Sequence, residues 1–279
     1  MRRASFLAVV GLFALFVRAE RIELSHDDAR CVLETQGARV VSYSVAGQEL
    51  LWMPKDGLGN NSTWRHGGIP IAWPWFGRIG KGDENIHGYA WQKSFSVKSC
   101  SDSAVTLELK TGFADLEYTI RLGTTLELEL KTFNRSDYDF PMGVAFHPYF
   151  RVGERDRTTV EGVGSAAISV TNAIDCGQKF EGTELLKEYR IVDLSLGRMI
   201  RIVAENSTGV NVWNPGAEKK CPGIIPDDEW RRFVAVEPFA MGLNRFLVLS
   251  PGETNVLKMR LSLEGSAAKV AIDGAGMGK

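Results

Sequence analysis

Along most of the chain, apolar and polar residues alternate over short stretches bounded by turn residues. Ser103 to Lys110 reads SAVTLELK, with Val105, Leu107 and Leu109 on one side. Leu116 to Leu122 (LEYTIRL) and Thr125 to Phe133 (TLELELKTF) repeat the same period, separated by Gly123. A period of two marks strands with one buried face. Shorter runs at Arg30 to Glu34, Ala38 to Val45 and Glu49 to Met53 read the same way, with Gln36-Gly37 and Ala46-Gly47 as turns. Further strands are expected at 139–145, 159–161, 167–170, 189–192, 199–204, 209–213, 232–236, 245–249 and 253–263. No stretch carries three turns of helical periodicity outside the first residues; a weak helical hint covers Asp227 to Arg231. Many short strands without a polar linker predict an all-β protein, one large antiparallel β-sandwich domain over residues 20–267. The small, polar segment 268–279 is expected to fray.

The start of the chain departs from this pattern. Met1-Arg2-Arg3 is basic, Ala4 to Val17 is almost wholly apolar, and Arg18-Ala19-Glu20 follows. A basic end, a short apolar run and a small residue before a polar boundary are the signature of a secretory signal peptide. The run is shorter than the roughly 20 residues of a membrane span. Residues 1–19 are therefore read as a cleaved leader, giving an exported protein (periplasmic, secreted or in the secretory pathway) with no stable membrane insertion afterwards; an uncleaved anchor, or a cytoplasmic protein if the segment is no signal peptide, are the alternatives. The whole chain has 33 Lys plus Arg against 34 Asp plus Glu, a net charge of −1. Loss of Arg2, Arg3 and Arg18 moves this to about −4, so no basic excess is present and a nucleic-acid partner is not expected. Cys31, Cys100, Cys176 and Cys221 are widely spaced, without a CxxC; free thiols and a disulfide are both open readings in an exported chain.

Candidate chemistry is concentrated in a few irregular segments. Residues 63–80 read TWRHGGIPIAWPWFGRIG, with three Trp, two Pro and several Gly. Prolines without amide donors and conformationally free glycines make this a crossing loop rather than an ordinary strand. Its aromatics are either core or a platform for a sugar face, and Arg65, Arg78 and Lys81 are either surface charges or an anion grip. His87 precedes a glycine and an aromatic in HGYAW. In GVAFHPYF an apolar strand is expected to end at His147 before Pro148, and in FVAVEPF another is expected to end at Glu237 before Pro238. Glutamate is rarely buried without a partner, so the two residues are candidates to face one cleft as a general acid–base pair. No GxSxG elbow, HExxH helix or phosphate-binding GxxxxGK[ST] occurs, and neither a metal nor another cofactor is called for.

These segments resemble the aldose 1-epimerase superfamily, and within it the glucose-6-phosphate 1-epimerase (hexose-phosphate mutarotase) branch. The matching pieces are GGIPIAWPWFG at 67–77, HGYAW at 87–91, GVAFHPYF at 143–150, VWNPG at 212–216, PDDEWRRFVAVEP at 226–238 and PGET at 251–254, in family order. The resemblance implies a galactose mutarotase-like supersandwich and a small-molecule partner, a sugar or sugar phosphate. It implies His147 as the acid toward the ring oxygen and Glu237 as the base on the anomeric hydroxyl. It also implies substrate contacts from His87 and Trp75, with Asp228, Arg78 and Arg65 as further contacts. Three departures stand out. The phosphate-specific branch carries Arg immediately before GGIP, where this chain has His66 preceded by Arg65. HGFAR becomes HGYAW, with Trp91 in place of Arg. The Asp of a D-R-x-Y-like segment has only Asp193 in RIVDLSLGR as a counterpart. The lost arginines and the leader turn the expectation toward a sugar that need not be phosphorylated, and a carbohydrate-binding protein without turnover stands as the alternative.

Overall fold

The structure is a computed structural model that describes residues 20–55, 64, 66–79, 86–163, 167–170, 174–181, 187–216, 225, 228–242 and 245–265. The expected leader, the expected frayed tail, Arg65 and Lys81 lie outside the described residues. The architecture is all-β, a multi-sheet antiparallel sandwich. The largest sheet has nine strands, in the order 168–169, 158–161, 188–193, 198–205, 254–264, 126–134, 114–122, 104–110 and 96–100. A six-stranded sheet runs 174–181, 209–214, 233–240, 144–146 and 71–72, with 149–151 also paired to 233–240. A four-stranded sheet covers 21–49, and a two-stranded one joins 140–142 to 247–249. Among the described residues no helix is long and apolar enough to cross a membrane.

The nine-stranded sheet follows the period of two. Leu116, Tyr118 and Ile120 are fully buried, as are Leu126, Leu128 and Leu130, while Lys131 and Arg121 reach solvent. Their register is a continuous hairpin ladder, Leu116↔Thr132 through Leu122↔Leu126. The buried face meets Phe146, Val210, Val212, Val234 and Val236 of the six-stranded sheet in one hydrophobic cluster. Tyr118 and Phe146 touch across it, with ring centroids 5.9 Å apart. Each such side chain contributes about 1.5–3 kcal/mol on burial.

The central strand of the six-stranded sheet is covered on both faces. Every residue of the Phe233–Ala240 strand is buried, so its sequence reads as a continuous apolar run. This corrects the expectation that Glu237 and Pro238 end the strand. Glu237 lies inside it, and pairing continues through Pro238 opposite Val210. The expected stop at Pro148 is likewise only an interruption, since Tyr149–Arg151 pairs with the same neighbouring strand. Both prolines fall in the stretch where that ladder is open, so no ladder donor is lost there. The Arg21–His26 and Ser96–Cys100 strands were not anticipated. The helical hint near 227–231 is a single 3-10 turn, Glu229–Arg232. Cys31 and Cys100 are free thiols; Cys31 is buried, and that burial pushes its pKa up.

Candidate active site

Register explains why His147 meets Glu237. The pairs Ala145↔Phe239 and Tyr149↔Ala235 belong to one register, which places His147 opposite Glu237. On the other side, Asn211 is the direct partner of Glu237. Three adjacent strands thus carry His147, Glu237 and Asn211 in one row. Because strand side chains alternate, the residues two places away share that face: Tyr149, Trp213 and Phe239. The intervening Phe146, Val212 and Val236 point into the main core.

Within the row, His147 Nε2 stands 3.5 Å from Glu237 Oε1. Asn211 Nδ2 donates to Glu237 Oε2 at 2.9 Å. The amide thus fixes one carboxylate oxygen and turns the other toward the imidazole. The side chains of His147 and Glu237 are only 6% and 1% exposed, so the pair works in a low-dielectric setting where a charge is costly without a partner.

Aromatic rings shape the surroundings. The His147 ring stacks on Tyr149, centroids 4.8 Å apart at 17°. The Tyr149 hydroxyl accepts from Trp64 Nε1 at 3.1 Å and lies 2.9 Å from His66 Nδ1. His87 meets His147 edge-on at 5.0 Å, with Trp64 4.5 Å and Phe76 5.2 Å from the His87 ring. Trp213 stacks over His66 at 6.2 Å. Burial, reinforced by His87 and His66, pushes the His147 pKa well below the ordinary imidazole value. Burial alone pushes His66 down to about 3. Both rings are therefore neutral near pH 7.

The HGY turn that presents His87 requires its glycine. His87 and Gly88 both have positive φ, 62° and 72°, and a Cβ on Gly88 would sit 2.0 Å from the Trp73 carbonyl oxygen. Such backbone is costly for a residue with a Cβ. The amide of Gly77 donates to His87 Nδ1 at 3.0 Å. An amide can only donate, so Nδ1 holds a lone pair and the neutral ring carries its proton on Nε2.

The structure brings together His147, Glu237 and His87 among the residues singled out from sequence. Trp75 is half-buried, with its ring edge-on to Tyr89 at 6.0 Å; its neighbour Phe76 is the ring that packs on His87 and His147. Arg78 is exposed, and its carbonyl accepts from Arg245 at 2.8 Å. Asp228 lines a cleft that does not contain the His147–Glu237 pair. Asp193 caps backbone instead, accepting from the amides of Gly153, Ser195 and Leu196. Sequence reasoning missed Asn211, Tyr149 and Trp64 as members of the site. The signal for Asn211 was present: GVNVWN is a buried run, and each amide within it needs a polar partner. Among the described residues no group of three or more His, Cys, Asp or Glu is arranged to hold a metal ion.

Comparison with known proteins agrees with this architecture. A protein of Escherichia coli (strain K12), provisionally assigned as a glucose-6-phosphate 1-epimerase, is 28% identical over 243 residues, covering 77% of this chain and 81% of that one. The crystal structure of a provisionally assigned mutarotase from Salmonella typhimurium superposes with a TM-score of 0.72 at 24% identity, covering 88% of this chain and 90% of the other. A protein from Synechocystis sp. PCC 6803 does so with a TM-score of 0.73 at 18% identity, covering 95% and 100%. The profile of the aldose 1-epimerase family matches residues 20–262, and the chain belongs to that family, close to its glucose-6-phosphate 1-epimerase branch.

Proposed function

We propose that the protein is a sugar 1-epimerase that interconverts the α and β anomers of an aldohexose or its 6-phosphate, with His147 and Glu237 as the catalytic residues. The observation that carries this reading is the His147–Glu237 contact at 3.5 Å, held by Asn211. The ring oxygen and the anomeric hydroxyl of a sugar share one carbon and lie closer together than that. Two tips at this spacing, pointing to the same side, can each reach one of them within hydrogen-bond distance.

The reactive form is the minority of molecules in which His147 carries an extra proton: Glu237 takes the proton of the anomeric hydroxyl while the imidazolium of His147 gives its proton to the ring oxygen. The bond between the anomeric carbon and the ring oxygen breaks, leaving an open-chain aldehyde. Rotation about the adjacent carbon–carbon bond exposes the other face. Closure reverses both proton transfers, so the pair carries one proton between its members throughout. His87, donating from Nε2, holds a sugar oxygen beside the pair. The acceleration required is modest, because anomers interconvert slowly in water unaided, and positioned acid–base groups contribute about 10²–10⁴-fold.

A second reading concerns the substrate. His66, which precedes Gly67-Gly68, is neutral and supplies no charge for a phosphate, which favours an unphosphorylated sugar. The names of the relatives favour glucose 6-phosphate. The apolar start of the chain supports an exported protein, which a mass spectrum of the mature N-terminus would test. The deciding experiment follows anomer interconversion by polarimetry or NMR with glucose 6-phosphate and with free hexoses. Acceleration of at least one is expected. Binding without acceleration of any would replace the enzyme by a carbohydrate-binding protein.

A further inference from the structure

Away from the His147 row, a cleft of about 600 Å³ opens beside the short 3-10 turn Glu229–Arg232. That volume lies within the range of small-molecule sites. Trp52 forms part of its wall and, stacked on Phe233 at 4.6 Å and packed against Tyr149 at 5.9 Å, separates it from the histidines. Glu229 lines the cleft although the residue is only 3% exposed. Neither of its carboxylate oxygens has a hydrogen-bond partner. The nearest cation, the ammonium of Lys55, stands 3.8 Å from Oε1, beyond hydrogen-bond reach. Such a carboxylate is costly unless donors are brought to it. Glu237, buried to a similar extent, has the Asn211 amide.

The rest of the wall narrows the ligand. Glu49, Asp228 and Glu229 face Lys55, Arg151 and Arg232, so charges of both signs are present in equal number and no net field selects an ion. The Glu49 carboxylate is occupied by Ser42 and by the amides of Tyr43 and Leu51. Arg232 is occupied by Glu154 and the Gly153 carbonyl. Asp228, Glu229, Lys55 and Arg151 are thus the groups positioned to meet a ligand, two accepting and two donating. Leu51, Met53, Val152 and Leu196 supply apolar surface between them. A ligand matching this wall donates to carboxylates, accepts from an ammonium and a guanidinium, carries no charge and has an apolar face. We propose that the cleft is a second ligand site that takes a neutral polyhydroxy molecule, a monosaccharide, with Glu229 as its principal hydrogen-bond acceptor. The site is independent of the chemistry at His147.

The test is an NMR titration of the ¹⁵N-labelled protein with methyl α-D-glucopyranoside, which cannot open its ring. Saturable shifts are expected at Trp52, Met53 and Glu229, and they should persist in His147→Ala. Glu229→Gln should weaken binding there by about tenfold or more, the loss of a charge-assisted hydrogen bond, while mutarotation stays at the wild-type rate. Arg151→Ala, on an exposed side chain, should weaken it less and serves if Glu229→Gln does not fold. The proposal is overturned if these resonances do not move with the glycoside, or if both variants bind as the wild type does. Movement with calcium chloride or sodium phosphate but not with the glycoside would overturn it in favour of an ion site.

Discussion

The two large sheets solve different problems with the same strand geometry. The nine-stranded sheet buries one face and leaves the other wet, so its sequence alternates and its hairpin register follows from that alternation. The Phe233–Ala240 strand of the six-stranded sheet and its neighbours at 144–146 and 209–214 are largely covered on both sides, so they read as apolar runs, and the few polar residues within them are shut away from water. His147, Glu237 and Asn211 are three of them, brought into one row by cross-strand register; Asn214 is another, held by the carbonyls of Trp230 and Phe233. On the outer face of the first sheet a polar residue such as Lys131 is ordinary surface. On the second it needs a partner, and the partners form a site.

The sharpest way to break this contrast is to remove the pair. His147→Ala and Glu237→Gln are each expected to lower kcat/KM for anomer interconversion by about 10²–10⁴, with the circular dichroism spectrum unchanged. A variant that turns over at the wild-type rate would return its residue to a purely structural role. The pH profile sharpens the same point. Burial and the flanking histidines hold the His147 pKa well down, so the imidazolium proton donor becomes scarcer as pH rises through that lowered value. In the free enzyme, which kcat/KM reports, activity should already be declining between pH 6.5 and 8. A flat profile across that range would exclude His147 imidazolium as the donor.

The first sheet should respond in stability instead of rate. Leu128→Ala, at a position 1% exposed, is expected to cost about 2–5 kcal/mol in denaturant unfolding. Lys131→Ala, three residues on and exposed in the same strand, should stay within about 0.5 kcal/mol. Equal losses at the two positions would mean that this face is not wet.

This contrast also sets what could be read in advance. Val105, Leu107, Leu116 and Tyr118 announce their strands, because half-burial writes a period of two into the sequence. Pro148 and Pro238 misled, because proline was taken to end a strand when here it marks only an opening in one ladder. His147 and Glu237 stood out as ionisable residues in apolar runs, yet their 3.5 Å separation depends on register between strands some ninety residues apart in sequence, which no local pattern encodes. Tyr149 and Trp64 were hidden for the opposite reason: an aromatic in an apolar run looks like core, and only the bond from Trp64 Nε1 to the Tyr149 hydroxyl reveals the polar role.

Asn211 tests whether the row acts as a unit. Asn211→Ala removes the donor at 2.9 Å from Glu237 Oε2 and should reduce kcat by about tenfold, the worth of one hydrogen bond to a charged group. KM should change less than kcat if the amide positions the carboxylate. Asn211→Gln, which retains an amide donor, should recover part of the rate. A change confined to KM would instead make Asn211 a substrate contact.

The smallest effect concerns His66, beside the same row and also without access to water. An unfolded histidine takes up a proton near pH 6.5, whereas folded His66 stays neutral until about pH 3. Between those values the unfolded chain binds more protons, so stability falls as pH falls. The loss from this one group is about 1 kcal/mol per pH unit, present below pH 6.5 and absent above it. His66→Gln removes the titration while keeping a polar group near the Tyr149 hydroxyl. The wild type should therefore lose about 1 kcal/mol per pH unit more than this variant in urea unfolding between pH 6 and pH 4, from whatever baseline the substitution sets. Parallel slopes would show that His66 gains a proton in the folded state as easily as in the unfolded one. The dry setting inferred for the whole polar row would then have to be abandoned.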